Sequence, residues 1–381
     1  MKQYRIEEIC EVVSGGTPST KVANYWDGDI LWLTPKDLSS SVTKWICSSS
    51  SRITKEGLDN SAARMLPINT VLLSSRAPIG YLALAGKPLC TNQGFKSMIC
   101  NTNYILPEYL YYYLQTKVEE LNNISTGSTF KELSGSLLKN FVVNIHNIAT
   151  QQHIVDILGI LDEKIENNSK ILNELNNLIQ LEFEKTILAN SSEKRLLADV
   201  FAFQEGPGIR NWQYVDKGIN FINIRCINDG DIDTSSMNKI SEQEAYGIYK
   251  HFLLNEWDLV MSMSGTLGRY AIVGKEHLPL CLNTSVIRFY PKNDFTYYSY
   301  MYAYLTSKDF IASITTLANG SAQQNVGPTH LKKVTIKLPN EEVIKQFHQR
   351  VFPLINRMVS LRGDNQKIKE LKEYYLKKFF G

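Results

Sequence analysis

The stretch VLLSSRAPIGYLALAG, Val71 to Gly86, decides how this chain is read, because the chain contains it twice. The second copy is LVMSMSGTLGRYAIVG, Leu259 to Gly274. Each holds an apolar run, two serines close together, a glycine-bearing turn and a second apolar run. That pattern spells strand, tight turn, strand. Ile79-Gly80 falls on Leu267-Gly268 when one copy is laid on the other.

The match extends outward. ILWLTPKDL (Ile30–Leu38) falls on INFINIRCI (Ile219–Ile227). STGSTFKELSGSLLKNFVVNI (Ser125–Ile145) falls on the stretch around Gly320, with Gly127 on Gly320, Leu138 on Leu331 and Val143 on Ile336. IEEICEVVSGG and LLADVFAFQEG align with Gly15 on Gly206. Four matches in one order mark an internal repeat of about half the chain. Each repeat is β-rich, with short β-branched and aromatic runs bounded by Gly, Pro, Asn and Ser. Each also carries one tyrosine-rich helix, PEYLYYYLQTKVEELNNI and YYSYMYAYLTSKDFIASIT, whose rings at helical spacing read as core and covering surface.

Each repeat ends in a long helix. In the first, Ile154, Leu158, Leu161, Ile165, Asn168, Leu172, Leu175 and Ile179 follow a 4-3-4-3 spacing. In the second, Phe347, Val351, Leu354, Met358, Leu361, Asn365 and Ile368 do the same. So narrow a stripe predicts a coiled-coil seam, and one Asn in each seam can fix register. Residues 146–193 hold 3 Lys+Arg against 8 Asp+Glu, whereas residues 341–381 hold 9 against 5, so the helices complement each other in charge. Twofold symmetry between the repeats would pair them antiparallel, with roughly 35 helical residues making a spacer of about 50 Å. The expected fold class is α+β: two β-rich domains, each followed by a long helix, the helices paired as an antiparallel coiled coil. The expected boundaries are 1–148, 149–190, 191–340 and 341–379.

The chain has 381 residues and a net charge of +3, which by itself selects no partner. Charges at Lys2, Arg5, Glu7, Glu8 and Glu11 exclude a secretory apolar segment at the start, and no apolar run approaches a membrane span. Six scattered cysteines without a CxxC pair read as reduced thiols, so a cytoplasmic location is expected. There is no GxGxxG, GxxxxGK[ST], HExxH or GxSxG, and no Asp/Asn-Pro-Pro-aromatic motif. His146 and His153 do not cluster with other metal ligands, and no metal site is expected. Glu370 and Lys372 have the spacing of a nuclease ExK but lie on the seam helix, where a solvated face accounts for them. Cys90 and Cys281 recur in the sequence PLC and read as buried small residues.

What remains is a set of loops rich in small polar and basic groups. Singly, a turn or a strand accounts for each. Together they form a candidate DNA-contacting set, since hydroxyls and amines suit phosphates while Arg, Asn and Gln suit base edges. The first repeat offers Gly16, Thr17, Ser19, Thr20, Lys36, Ser74, Ser75, Arg76, Asn92, Gln93, Lys96, Ser128, Thr129 and Lys131. The second offers Arg210, Asn223, Arg225, Ser262, Ser264, Arg269, Asn283, Arg288, Gln323, Gln324 and Asn325. The apolar frame persists between copies while SSRAP becomes SMSGT and TNQGFKSM becomes LNTSVIRF, as suits two modules reading two targets.

In ICEVVSGGTPS, ILWLTPKDL, VLLSSRAPIGYLAL, CTNQGFKSM, STGSTFKELSGSLLKNFVVNI and above all QQHIVDILGILDEKIENN (Gln151–Asn168), the chain resembles the specificity subunits of type I restriction–modification systems. The resemblance covers nearly the whole chain. The second repeat departs from it where GPGIRNWQ replaces the GGTPS-like loop, and IHNIATQQ enters the first long helix without the usual proline. The resemblance implies a non-catalytic protein with two target recognition domains, each reading one half of a split site in double-stranded DNA. It implies that two modification subunits, which carry S-adenosylmethionine and methylate adenine N6, dock on the helices. Restriction subunits with helicase and nuclease activities complete the complex. No cofactor is expected on this chain itself. Three readings stand beside it: a subunit of a fused or type IIB-like enzyme, a tandem β-domain scaffold or adhesion protein, and an enzyme whose active site has no recognised motif.

Overall fold

Val71–Ser75 is buried along its whole length, as an apolar run in the middle of a sheet must be. The computed structural model describes residues 1–39, 43–76, 78–127, 131–228, 230–318 and 325–381. The chain forms two units, Met1–Asn167 with Lys367–Gly381, and Asn168–Gln366.

In the first unit the main sheet has the strand order Cys10–Ser14, Phe95–Cys100, Val71–Ser75, Ile79–Ala85, Trp45–Ile46. A second sheet orders Ser51–Ile53, Trp26–Leu33 and Cys90–Thr91. The ribbon Lys2–Arg5 pairs with Val142–Ile145, antiparallel, just before the long helix begins. The second unit repeats this plan. Its main sheet runs Phe201–Glu205, Val286–Pro291, Leu259–Ser262, Tyr270–Ile272, and the ribbon Ser192–Leu196 pairs with Thr335–Pro339. Even the register recurs. Leu73 stands opposite Lys96 as Met261 stands opposite Ile287, and Trp32 opposite Cys90 as Phe221 opposite Cys281.

Four helices matter here: α1 (Pro107–Gln115), α2 (Ile148–Ala189), α3 (Tyr298–Leu305) and α4 (Glu341–Phe380). The tyrosines of α1 and α3 are core. Tyr109, Tyr112, Tyr298, Tyr300 and Tyr302 are fully buried, and hydroxyl partners make that burial tolerable for all but Tyr298, whose hydroxyl has none among the described residues. Tyr112 donates to Asp162 Oδ2 at 2.7 Å, and Tyr300 to the Lys337 carbonyl at 2.5 Å. The long helices start alike. Asn147 Oδ1 accepts the Thr150 amide at 2.9 Å, and Asn340 Oδ1 accepts the Val343 amide at 3.0 Å, side-chain caps at equivalent positions. Gln151, fully buried, ties the start of α2 to its domain by accepting from the Leu106 amide and donating to the Tyr104 and His146 carbonyls.

The helices pair antiparallel. In the second unit Asn168 meets Asn365 at 2.7 Å, and further along α2 Glu182 meets Arg350 at 2.7 Å, so the partner number falls as α2 advances. In the first unit Asp162 meets Lys372 at 2.6 Å, and Phe380 packs edge-on against Tyr109 and Tyr113. Ile154, Leu158 and Ile179 of α2 are buried, with Leu161, Ile165, Leu172 and Leu175 half-buried. On α4, Phe347, Val351, Met358 and Leu361 are buried, and Leu354 and Ile368 half-buried. Ile344 and Ile355, outside the stripe read from the sequence, are fully buried in the same core. Pro353 lies inside α4 on an exposed position, so the helical hydrogen bond it removes is lost on the side where water can replace it. All six cysteines are free. Among the described residues no helix is long and apolar enough to cross a membrane, and no group of three or more His, Cys, Asp and Glu could hold a metal ion.

Candidate nucleic-acid interface

Strand register brings four loops to one end of the first unit's main sheet. Ser14 pairs with Lys96 and Ser74 with Phe95, so the loops after Ser14 and Ser75 and the loop before Phe95 share that end. The Ser75 amide donates to the Gly94 carbonyl at 2.7 Å, and the Leu133 amide to the Ser75 carbonyl at 2.9 Å, which brings in the fourth loop. Gly15 lies so close to the Thr91 and Asn92 carbonyls that any side chain would collide with them. Thr17 Oγ1 hydrogen-bonds Gln93 Oε1 across the two loops. The short helix carrying Lys36 abuts Gly94 through Pro35.

The second unit builds the same cluster with different residues. Gly206 packs against the backbone of Leu282 and Asn283. The Met263 amide donates to the Ser285 carbonyl at 3.2 Å, and the Val326 amide to the Met263 carbonyl at 2.8 Å. Ser264 bridges to Asn325. Asn92 Oδ1 accepts the Gly94 amide at 2.9 Å, and Asn283 Oδ1 accepts the Ser285 amide at 3.0 Å, so both asparagines shape the same turn.

The serines of the opening stretch turn inward. Ser74 Oγ donates to the Pro78 carbonyl at 2.8 Å and accepts the Tyr81 amide at 2.8 Å. Ser262 Oγ donates to the Thr266 carbonyl at 2.6 Å and accepts the Arg269 amide at 2.9 Å. One hydroxyl thus closes each turn, and Gly80 and Gly268 complete it at φ +107° and +80°, where a side chain would also strike Val118 or Ile311. Ser75 is fully buried as well. Gly16 is buried, its carbonyl accepting Trp32 Nε1 at 2.9 Å.

Two basic groups also face the fold. Arg288 bonds the Leu253 carbonyl at 2.9 Å, Gln204 Oε1 at 2.6 Å and the His251 carbonyl at 3.2 Å, with Asp258 at 3.4 Å. Lys96 is buried with its ammonium 4.0 Å from Glu132. Burial holds that ammonium below its usual range, Glu132 opposing and Arg76 adding to the effect. Groups so engaged frame the loops and do not reach outward.

The exposed members of the set are Thr17, Ser19, Thr20, Lys36, Gln93 and Lys131 in the first unit, and Arg210, Arg225, Arg269 and Asn325 in the second. Arg76, Asn92, Asn223, Ser264 and Asn283 are half-buried. Lys131 also donates to the Asn122 carbonyl at 3.3 Å, and Arg225 to Asn238 Oδ1 at 3.1 Å. Ser128, Thr129, Gln323 and Gln324 lie outside the described residues. Each cluster therefore pairs a buried hydrogen-bonded frame with an outward layer of hydroxyls, amides and cations. Such a layer suits phosphates and base edges. Sequence reasoning passed over Trp212, which is 80% exposed beside Arg210. The one signal for it is the GPGIRNWQ loop, where the two copies part.

Comparison with known proteins agrees with this duplicated plan. A model of the type I restriction modification DNA specificity domain matches residues 1–177 and again 190–373. The chain is 30% identical to the type I restriction enzyme MjaIX specificity subunit of Methanocaldococcus jannaschii over 99% of this chain and 92% of that one. It is also 30% identical to the EcoR124I/EcoR124II specificity subunit of Escherichia coli, over 41% of this chain and 39% of that one. The crystal structure of a type I restriction–modification S subunit from M. genitalium covers 100% of this chain and 96% of its own, with a TM-score of 0.60 and 15% identity, a likeness of fold.

Proposed function

The chain belongs to the type I restriction–modification DNA specificity family, as the non-catalytic subunit that recognises the DNA target, and from that premise we propose how its parts divide the work. Residues 1–148 and 191–340 each read one half of a split site in double-stranded DNA. The exposed Lys36 and Lys131, and Arg210, Arg225 and Arg269, hold phosphates and set register. Thr17, Ser19, Thr20, Arg76, Asn92 and Gln93 in the first domain, and Asn223, Ser264, Asn283 and Asn325 in the second, stand beside them to meet base edges. The observation that carries this reading is the pair of loop clusters, alike in buried frame and unlike in outward layer.

The helices, residues 149–190 and 341–379, fix how many unread base pairs lie between the halves and provide the docking face for two modification subunits. Ile171, Leu178, Leu181 and Leu188 of α2 are exposed, which supports a protein partner on that helix. The modification subunits bring S-adenosylmethionine and the methyl transfer to adenine N6. Restriction subunits then join the complex, which works in the cytoplasm.

Mapping N6-methyladenine in the genome with and without this gene tests the reading. One split sequence should lose its methylation when the gene is removed, and an unchanged map would refute it.

A further inference from the structure

Trp212 is more exposed than any other aromatic side chain among the described residues. It does not sit on a loose tail. It lies in the single turn Asn211–Gln213. The Arg210 amide donates to Gln213 Oε1 at 2.9 Å, while Gln213 Nε2 donates to Glu244 Oε1 at 2.8 Å and to the Tyr249 hydroxyl at 3.2 Å. Upstream, Gly206 packs on the Leu282–Asn283 backbone. The loop is fixed at both ends, and it holds a large apolar ring in water next to an exposed guanidinium. Keeping an indole out of the core forgoes one of the largest burial gains a side chain offers. Rigid, exposed Trp beside Arg is the composition of binding hot spots.

The repeat shows that the frame does not require this ring. In the first domain the single turn Ala23–Tyr25 stands at the same place. Its central residue is Asn24, exposed, with its carbonyl accepting Thr54 Oγ1 at 2.7 Å. The same scaffold thus presents an amide in one domain and an indole in the other.

We propose that Trp212 is an apolar contact of the second domain with the bases of its half-site, a reading element that the first domain lacks. The ligand is duplex DNA because Gly206, which heads the loop leading to Trp212, packs on the Leu282–Asn283 backbone at the end where the other loops converge, and Arg210, two residues before Trp212, supplies the cation for a phosphate. An apolar ring that meets a thymine methyl or wedges between base steps contributes without releasing counterions, so the contact has its own signature. This inference rests on the DNA-reading role given above.

The test selects bound duplexes from a random DNA pool with the complex of the full chain and its modification subunits, comparing wild type, Trp212→Ala, Trp212→Phe and Arg76→Ala. With Trp212→Ala, affinity should fall roughly 5- to 100-fold, the loss of one base-pair contact in a duplex site. The slope of affinity against salt should stay unchanged, and one half of the selected sequence should relax. Arg76→Ala should relax the opposite half. Trp212→Phe should stay within about threefold of wild type, since an apolar ring remains to meet the base edge or step. Unchanged affinity, two intact halves, relaxation of the same half as Arg76→Ala, or a shallower salt slope would each overturn the assignment. Failure of the wild type to select any split sequence would instead sink the DNA-reading role itself.

Discussion

Asn168 and Asn365 face each other in the seam of the long helices, the amide of one donating to the carbonyl oxygen of the other at 2.7 Å, with both side chains buried among apolar neighbours. A buried amide is satisfied only in the register that brings its partner opposite. Asn168→Ala strands the Asn365 amide and should lower stability by about 1–3 kcal/mol. Replacing both with Leu should raise the thermal midpoint while loosening register. Denaturant melts of the two variants check this, and a double-Leu protein less stable than the single Ala variant would contradict it.

Asp162 and Lys372 make another polar tie between the helices, at 2.6 Å and with both side chains about five-sixths buried. Tyr112 also donates to Asp162. Asp162→Ala leaves the ammonium without its partner and should cost about 2 kcal/mol, discounted from the fully buried case for partial exposure. The exchange Asp162→Lys with Lys372→Asp should recover part of that loss. A double-mutant cycle measures the coupling, and a coupling indistinguishable from zero would show that the pair contributes only packing.

Frame and tip residues should separate in experiment. Ser74→Ala or Ser262→Ala removes two buried hydrogen bonds and should lower stability by about 1–2 kcal/mol, leaving the recognised sequence unchanged. Arg76→Ala should do the reverse, changing sequence preference with a melting temperature near wild type. Selection of bound duplexes alongside thermal melts distinguishes the two classes. A changed preference in the Ser74 variant would place that hydroxyl on the DNA after all.

Burial pushes the Cys90 thiol up to about 11 and the Cys281 thiol up to about 12, the latter eased slightly by the Leu282 amide and Arg288. Only thiolate reacts with alkylating reagents, so near pH 8 the native protein should label at exposed Cys47 and spare these two. The sign for stability follows. The folded state favours the protonated thiols, so their contribution is complete below about pH 8.5 and is lost as pH rises through about 11 and 12. Labelling followed by peptide mass mapping reads the first point. Early modification of Cys90 or Cys281 would mean that the core opens locally.

Removing one heptad from each long helix at facing positions shortens the pair by about 10 Å, roughly three base pairs of duplex. The permitted gap between half-sites should shrink accordingly, with both half-sites intact. Methylation mapping of the variant gives the gap directly, and an unchanged gap would end the spacer proposal.

Much of this fold could be read from the sequence because glycines and apolar residues mark places where substitution is geometrically barred. Gly15 and Gly206 align because each leaves no room for a Cβ against the neighbouring loop. Cys90 and Cys281 align because each stands opposite an aromatic residue in a parallel strand pair. Polar residues carry no such mark. Ser74 closing a turn and Thr17 at a surface look alike in one sequence, since a hydroxyl serves either a backbone carbonyl or a phosphate. Arg288 read as a contact because guanidinium suits bases, yet the Leu253 and His251 carbonyls and Gln204 claim it first. The 4-3 rule also passed over Ile355, which is buried four residues beyond Val351.

The turn that one serine closes in each domain has a consequence for descent. Its hydrogen bonds run to main-chain atoms of Pro78 and Tyr81, or of Thr266 and Arg269, so they ask nothing of the side chains the turn displays. Mutation can therefore rewrite those displayed residues one at a time without passing through an unfolded ancestor. A lineage carrying this hydroxyl could change its target as often as invading DNA changes, while its architecture stayed still.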